Sequence, residues 1–381
     1  MSKFDELATL LQELVAINSV NPSLVPGAEG EEALARFIAD WLRARGLEVY
    51  LEDTILAGRP NVVAIARGSG GGRSLLLNAH MDTVGMEGME HPGESRIHAG
   101  KLYGRGALDT KGGLAAFMLA AVDAQRRPLR GDVILAAVAD EEYASRGTEG
   151  LVSRWPADAA IVTEPTGLCL TTTHKGFVWF EIETQGFAAH GSEAEIGIDA
   201  IAKMGKVLVA LDRLATQLAE SQPHPLLGTG SIHASLIQGG QELSSYPARC
   251  LLSIERRTIP GESVSSVRDE LQRILKTIRV QDSSFQATLR TTFVREPLEG
   301  SPDSPIVKTL HRNVQKVLGH EPKYTGSSGW MDAALLAAAG IPTVVFGPDG
   351  EGLHGAVEWV DLESVQYCYE SVLATVEDFC D

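Results

Sequence analysis

Amphipathic helix patterns and short apolar runs alternate along the first part of the chain. Apolar residues recur at helical spacing in DELATLLQELVAI and in EEALARFIADWLRARG, and the second pattern closes on Gly46. Four apolar runs follow, with a further helix pattern, TKGGLAAFMLAAVDAQRR, among them: NVVAIAR, SLLLNAH, VILAAVAD and AAIVTEP. Buried strands that alternate with helices predict an α/β core around a largely buried sheet.

The pattern changes after about residue 175, where FVWFEIETQG alternates apolar and polar residues like a half-exposed strand. A helix pattern near Ile198–Glu220, two strand patterns, a helix pattern near Ser263–Ile278 and a last strand pattern follow. This β-α-β-β-α-β order predicts a ferredoxin-like unit. The α/β pattern then returns. We therefore predict a small domain at residues 176–291, inserted into a larger domain at residues 1–175 and 292–381.

The composition of the chain excludes some classes of binding partner and indicates the cellular compartment of the protein. The formal net charge of −17 argues against binding to nucleic acid or to anionic membrane surfaces. The chain has no apolar run of transmembrane length, and its N-terminus lacks the basic start and cleavage site of a signal peptide. The four cysteines form no CxxC motif and are typical of thiols in a reducing compartment. We therefore expect a cytoplasmic protein.

Histidines and acids lie at the ends of the apolar strands and in one glycine-rich loop. The candidates, in chain order, are His80, Asp82, Asp109, Glu141, Glu142, Glu164 and His354. Ligands of open α/β sheets gather at the carboxyl ends of the strands. Two histidines and several carboxylates suit Zn²⁺ and similar ions, but one tetrahedral ion needs fewer carboxylates. The excess predicts two ions bridged by one carboxylate, with one acid left as a base.

Each of these motifs alone has an ordinary explanation. A single HxD is rarely a ligand pair, and the three acids of ADEEY are typical of a solvated turn or a helix N-terminus. Asp109 in RGALDTKGG is typical of a helix N-cap, and TEP is typical of a strand that exits into a turn. Their coincidence at four strand ends and one loop favours the metal centre.

Seven stretches resemble the M20 family of metallopeptidases and amidohydrolases, which includes acetylornithine deacetylases and succinyl-diaminopimelate desuccinylases. They are LLNAHMDTV, LYGRGALDTKGGLAA, AVADEEYASRGTEGL, TEPT, GFAAHGS, RRTIPGE and HGAVEWV, in family order. The resemblance implies a zinc-peptidase-like catalytic domain with a mixed sheet flanked by helices. It also implies that the inserted ferredoxin-like α+β domain serves as a lid and as a dimerisation module.

The resemblance implies a role for each residue of the metal centre. Two Zn²⁺ ions would share Asp109, with His80 and Glu164 as the other ligands of the first ion and Glu142 and His354 as those of the second. Asp82 would fix the orientation of the His80 ring. Glu141 would be the general base, and the bond that follows Asp109 is often cis in the family. Co²⁺ and Mn²⁺ stay open as alternatives to Zn²⁺.

The resemblance also implies roles for residues of the inserted domain. His190 in GFAAHGS would reach from a partner subunit to the substrate carbonyl oxygen, although a histidine beside a glycine turn is more often structural. Arg257 in RRTIPGE would bind a substrate carboxylate through its planar guanidinium. Arg256 stays open as the residue that faces outward instead.

Two departures from the family pattern leave the substrate open. Ser244 in GGQELSSYP lies where many relatives carry Asn, and it is a weaker candidate for substrate binding. Trp330 and Met331 lie where many relatives have small residues or Thr. Both departures bear on the substrate and not on the metal chemistry.

The sequence thus predicts a homodimeric co-catalytic dizinc hydrolase that cleaves the amide bond of an N-acyl amino acid. A metal-bridging water, activated by Glu141, would attack the amide carbonyl. The alternative is a di- or tripeptidase or a carboxypeptidase that uses the same site on a short peptide. A more remote alternative is a non-catalytic metal-binding protein, whose hallmark would be the loss of Glu141 or of a ligand.

Overall fold

The computed structural model describes residues 2–381, which form two compact units. Of the described residues, unit 1 comprises 2–172, Gly300–Thr325 and Met331–Asp381, and unit 2 comprises Thr173–Glu299 and Gly326–Trp330. The sequence pattern did not single out the short 326–330 segment of unit 2. Within the described residues, none of the helices combines the length and the apolar character needed to cross a membrane.

Helices and strands are named in chain order. The helices of the described residues are α1 (Lys3–Ala16), α2 (Glu32–Arg43), α3 (Gly112–Ala124), α4 (Arg146–Leu151), α5 (Ala200–Ala219), α6 (Val264–Gln281), α7 (Pro305–Leu318), α8 (Ala333–Ala338) and α9 (Leu362–Cys380). The strands are β1 (Glu48–Glu52), β2 (Asn61–Ala66), β3 (Leu75–His80), β4 (Arg96–His98), β5 (Lys101–Tyr103), β6 (Val133–Val138), β7 (Ala159–Val162), β8 (Leu170–His174), β9 (Gly176–Gln185), β10 (Ser231–Gly239), β11 (Arg249–Thr258), β12 (Gln286–Arg295), β13 (Leu298–Glu299), β14 (Tyr324–Ser327), β15 (Thr343–Val345), β16 (Gly350–Glu351) and β17 (Trp359–Asp361).

Unit 1 is built on a mixed sheet in which strands β1-β2-β6-β3-β7-β15-β8 are neighbours in that order. The central strands β6, β3, β7 and β15 run parallel to one another, and β1 and β2 pair antiparallel at one side. Every residue of β2, β3, β6 and β7 is buried, as continuous apolar strands predict. A separate small sheet joins β16, β17, β5 and β4.

Helix α3 is the central helix of unit 1, because every one of its residues is buried. Its first turn passes very close to Thr163, the residue after β7: a side-chain carbon on Gly113 would lie only 1.8 Å from Oγ1 of Thr163. Glycine is therefore needed at this contact. Helix α1 begins at a capping box formed by Ser2 and Asp5, and its apolar face packs into the same core.

Unit 2 has the predicted ferredoxin-like order of elements, and its four-stranded antiparallel sheet has the strand order β10-β11-β9-β12. Asp199 precedes helix α5 and Ser263 precedes helix α6, and the side chains of both residues cap the helix that follows. Alternate residues of β9, among them Val178, Phe180 and Ile182, belong to the core of this unit. The predicted α/β fold with an inserted ferredoxin-like unit is confirmed.

Candidate active site

The carboxyl ends of four parallel strands meet at one edge of the unit 1 sheet. Strand β3 pairs in parallel with β6 and with β7, and β7 pairs in parallel with β15. The register sets His80 opposite Val138, the last residue of β6. The residues that follow the strands are thereby brought together: His80 and Asp82 at β3, Asp140, Glu141 and Glu142 after β6, and Glu164 after β7.

The five predicted metal ligands form two groups that share Asp109. His80, Asp109 and Glu164 form one group, and Asp109, Glu142 and His354 form the other, with the ligand atoms of each group within 4.8 Å of one another. Oδ1 of Asp109 lies 2.9 Å from Nε2 of His80, whereas its Oδ2 lies 3.1 Å from Nε2 of His354. Because the two oxygens face different histidines, each ligand group can use a different oxygen of Asp109.

Glu358 holds the loop that carries Asp109. Its buried carboxylate accepts hydrogen bonds from the main-chain N–H groups of Gly106, Leu108 and Asp109 (3.0, 2.9 and 3.1 Å) and from Nη1 of Arg105 (2.6 Å). The peptide bond from Asp109 to Thr110 in this loop is cis, and Asp109 is not the N-cap of α3. Glu358 lies only four residues after His354. The same segment therefore supplies the candidate ligand His354 and holds the loop that carries the candidate ligand Asp109.

Asp82 joins the first histidine to the pair of acids after β6. Its Oδ1 lies 3.6 Å from Nδ1 of His80, whose Nδ1 also lies 2.9 Å from the main-chain oxygen of Asp82. The same carboxylate accepts the main-chain N–H groups of Glu141 and Glu142, both at 3.0 Å. Asp82 therefore fixes the main chain of both acids as well as the orientation of the imidazole ring.

Burial of several acids together raises their pKa values. Desolvation, with the negative charge of Glu164 next in importance, raises the pKa of Glu141 well above its usual value. Desolvation likewise raises the pKa of Glu164 strongly and that of Glu142. The protonated form of each acid is favoured over the charged form because the cluster has little solvent and too few positive charges.

The two histidines respond in the opposite sense. Desolvation favours the neutral ring of His80, but hydrogen bonds to Asp109 and Asp82 outweigh it and raise the pKa of His80 well above its usual value. Hydrogen bonds to Asp109 and Glu142 raise the pKa of His354 to about 10. Without metal, protons on the histidines therefore compensate the carboxylates, and a metal ion has to compete with those protons.

The residues present fit a pair of divalent ions. Each group offers one imidazole nitrogen and carboxylate oxygens, which is a donor set typical of Zn²⁺. Among the described residues, Oε1 of Glu142 is a buried carboxylate oxygen that has no hydrogen-bond partner. A buried acceptor in that state is costly unless a cation or a donor satisfies it. Glu141 belongs to neither ligand group.

His190 and Ser244 lie beside each other in two exposed loops of unit 2. The main-chain N–H of Gly191 donates to the main-chain oxygen of Ser244 at 2.7 Å, and His190 forms a β-bridge with Ser245. Nδ1 of His190 lies 2.7 Å from Oγ of Ser192. The loop after β10 therefore positions the loop that carries the histidine.

The two arginines of RRTIPGE have different environments. Arg256 is fully buried and pairs with Glu262, so it is part of the interior of unit 2. Arg257 is partly exposed, pairs with Glu255 at 2.7 Å and lies over the ring of Phe177. The alternative that Arg256 faces outward is therefore wrong, and Arg257 is the arginine that solvent reaches.

Sequence reasoning missed the buried residues that support the acids. They are Asn21, Glu31, Arg59, Asp332 and Glu358. The position of Glu358 within HGAVEWV was the only available signal for it. Asp332 in GWMDAALL accepts a hydrogen bond from Oγ1 of Thr148 at 2.6 Å, and burial raises its pKa to about 6.

Comparison with known proteins identifies the family. A family model described as peptidase family M20/M25/M40 matches residues 76–378. The chain is 31% identical to the acetylornithine deacetylase of Myxococcus xanthus, with 98% of this chain and 97% of that protein covered. It is also 31% identical to the N-formyl-4-amino-5-aminomethyl-2-methylpyrimidine deformylase of Halalkalibacterium halodurans, with 99% and 95% covered.

A solved structure agrees with this assignment at the level of fold. A dinuclear metal binding peptidase of the M20 family from Bacillus subtilis superimposes with a TM-score of 0.74 at 18% identity, and 98% of each chain is covered. The family match spans most of the chain and includes all the candidate ligands. The chain therefore belongs to peptidase family M20/M25/M40 and is a metal-dependent hydrolase that acts on amides or peptides.

Proposed function

We propose that this chain removes the acyl group from an N-acyl amino acid by two-metal amide hydrolysis. The observation that carries the proposal is that Asp109 is shared by two ligand groups while Glu141, beside them, belongs to neither. One relative is named a deacetylase and the other a deformylase, and both names describe removal of an acyl group from nitrogen. These names support a deacylase more than a peptidase.

The proposed ligands are those of the two groups built around Asp109. His80 and Glu164 complete the first site, and Glu142 and His354 complete the second. When bound, the two ions would polarise the amide carbonyl and lower the pKa of a water between them. We propose Zn²⁺ for both sites, although Co²⁺ and Mn²⁺ accept the same ligand types.

Glu141 is the proposed general base. It takes a proton from the attacking water and passes that proton to the leaving amine. In the metal-free protein, desolvation and then the negative charge of Glu164 raise the pKa of Glu141 well above its usual value. The positive charge of bound ions would lower this pKa, so that the carboxylate could accept the proton. Asp82 supports this role because it fixes the main chain of Glu141.

The proposed substrate contacts belong to unit 2. Arg257, the partly exposed arginine, would bind the substrate carboxylate, and Ser244 is a second polar candidate. The partner subunit's His190 would donate a hydrogen bond to the developing oxyanion, as the family resemblance implies. The role of the predicted domain at residues 176–291 as lid and dimerisation domain is part of the same proposal.

A homodimer is supported by the exposed edge of the unit 2 sheet. Strand β10 lies at this edge, and its Leu236 and Ile237 expose 72% and 55% of their surface. An edge strand with exposed apolar side chains is open to pairing with another chain. The cysteines of the described residues are all free thiols, which fits the proposed cytoplasmic location.

A peptidase that uses the same site is the second candidate, because a matching solved structure is named a peptidase. A non-catalytic metal-binding protein is disfavoured, because both ligand groups and Glu141 are present. Turnover of N-acetyl, N-formyl, N-succinyl and N-carbamoyl amino acids, measured beside dipeptides on metal-replete protein, separates the first two. Preferential cleavage of the dipeptides would contradict the deacylase proposal.

The role of Glu141 is tested by Glu141→Gln, which removes the base and no ligand. Loss of general-base catalysis lowers kcat by about 10²–10⁴-fold. Two bound ions should remain, as measured by metal analysis of the purified variant. Glu13→Gln, at an exposed position of α1, is the control and should keep normal turnover. A near-normal kcat in Glu141→Gln would remove this residue from the mechanism.

A further inference from the structure

Asp140, the first of the three consecutive acids after β6, belongs to neither ligand group. It is 1% exposed and has a left-handed main chain with φ of 70°. Its Oδ1 lies 3.0 Å from Nη2 of Arg59 and accepts a hydrogen bond from Nδ2 of Asn21 at 3.2 Å. The mechanism proposed above assigns no role to this buried acid.

Arg59 connects Asp140 to a second buried acid, Glu31. Nε and Nη2 of Arg59 each donate to an oxygen of Glu31 at 2.6 Å, so the pair is bidentate. Glu31 also accepts the main-chain N–H of Asp140 at 3.1 Å. Burial of a charged pair is expensive unless its geometry is good and its remaining groups are satisfied, as they are here. The Glu31–Arg59 pair therefore holds Asp140 at two points, since Glu31 accepts its main-chain N–H and Arg59 pairs with its carboxylate.

Asn21 connects Asp140 to Asp82. Its Nδ2 donates to Oδ2 of Asp82 at 2.8 Å and to Oδ1 of Asp140, while its Oδ1 accepts the main-chain N–H of Ser23 at 2.8 Å. These contacts fix which end of the amide faces the acids. Its main chain is held as well, because its N–H donates to the main-chain oxygen of Thr83 at 2.9 Å. Asn21 thus supplies donors between two buried carboxylates that would otherwise repel each other.

We propose that Asn21 and Arg59 are positioning residues that hold Asp82 and Asp140 side by side, so that the main chain of Glu141 and Glu142 keeps its place beside His80. This inference rests on the proposed function, since it assigns the support of the same metal centre. The contact that transmits the effect is Asp82, which accepts both main-chain N–H groups of the acid pair and lies next to His80. In this proposal, Asn21 and Arg59 contact neither the substrate nor the side chain of a metal ligand.

The effect of the change Asn21→Ala is expected in metal binding and in kcat. Outer partners of metal ligands typically contribute about 10–100-fold to metal affinity or activity. We expect Asn21→Ala to weaken metal binding by about tenfold or more and to lower kcat, with KM for the substrate nearly unchanged. The visible absorption of the Co²⁺-loaded protein should change too, because the spectrum reports the arrangement of the ligands.

Asn313→Ala is the matched control. Asn313 is also fully buried in unit 1, and its Nδ2 also donates to a carboxylate, that of Asp378, at 3.1 Å. It lies on α7, and its side-chain partners, Asp378 and Lys316, are not candidate ligands. Both variants should lower the melting temperature of the chelator-treated protein, because each loses a buried hydrogen bond. Only Asn21→Ala should change the metal affinity and the Co²⁺ spectrum.

The measurements are calorimetric metal titration, the Co²⁺ spectrum and steady-state kinetics on each variant. Native metal affinity and native kcat in Asn21→Ala would overturn the inference, while two ions bound to the wild-type protein would leave the proposed function standing. A wild-type protein that binds fewer than two ions would overturn both. If Asn21→Ala does not fold, Arg59→Lys decides, since it keeps the charge but loses the bidentate geometry. A native metal affinity in Arg59→Lys would then refute the inference.

Discussion

Glu358→Gln should cause a large loss of stability with little change in the shape of the side chain, because Glu358 accepts four hydrogen bonds. The carboxylate is 1% exposed and holds the loop of Asp109 with both oxygens. Oε1 accepts the N–H groups of Leu108 and Asp109, and Oε2 accepts that of Gly106 and Nη1 of Arg105. Glutamine has nearly the same volume, so the change tests hydrogen bonding and charge and not packing.

The magnitude follows from the number of donors that lose an acceptor. A glutamine amide has one oxygen, so in either orientation its NH₂ group faces two of the four donors. Hydrogen bonds to charged groups contribute about 1.5–3 kcal/mol each, and removal of one partner of a buried ion pair costs about 3–5 kcal/mol. We therefore expect Glu358→Gln to lower the free energy of unfolding of unit 1 by about 3–5 kcal/mol. Metal affinity should also fall, because the displaced loop carries Asp109.

Urea unfolding in the presence of a chelator measures the structural loss without a contribution from metal, and calorimetric titration measures metal binding. The control is Glu262→Gln in unit 2, where Glu262 pairs with buried Arg256 and accepts the main-chain N–H of Ile259 at 2.9 Å. This control should reduce stability and leave metal affinity unchanged. A loss below about 1 kcal/mol in Glu358→Gln, with native metal affinity, would refute the reasoning.

Two further predictions concern unit 2. Arg257→Lys keeps the charge but loses the planar fork, so kcat/KM should fall for a substrate with a free carboxylate and much less for its amidated analogue; equal losses on both would mean that Arg257 is structural. If the partner subunit's His190 completes each site, a mixture of Glu141→Ala and His190→Ala chains should regain roughly a quarter of wild-type activity, because half of the dimers are mixed and each has one intact site. Subunit exchange confirmed by mass spectrometry without any recovered activity would contradict the shared site.

The elements that the sequence predicted well are those with a strong apolar pattern. The strands at Leu75–His80 and Val133–Val138 lie within predicted runs because all their residues are buried. Strand β1 was missed, since it lies at the side of the sheet and all five of its residues are exposed or half-exposed. Helix α2 ends at Arg43, three residues before the predicted end at Gly46. Residues 44–46 form a turn instead of a further helical turn, and Gly46 has a φ of 89°.

The candidate ligands were accessible to sequence reasoning because they follow strands whose ends must meet at one edge. Glu358 was not accessible in the same way. Its partners lie about 250 positions earlier in the chain, and three of them are main-chain N–H groups that leave no trace in residue type. Asn21 has the same property, since its role depends on the side chains of Asp82 and Asp140, which lie far along the chain.

The three consecutive acids after β6 show why residue type alone could not assign roles. Asp140 contacts Arg59, and Glu142 contacts His354 at 3.2 Å. Glu141 lies where desolvation and then the negative charge of Glu164 raise its pKa. The positive φ of Asp140 turns the chain at the end of the strand, so neighbouring side chains point to different partners. Each acid therefore meets a different kind of positive charge. Asp140 meets the guanidinium of Arg59. In our proposal, Glu141 meets the transferred proton and Glu142 meets a metal ion. A strand can end in three consecutive acids because these three compensations do not compete with one another.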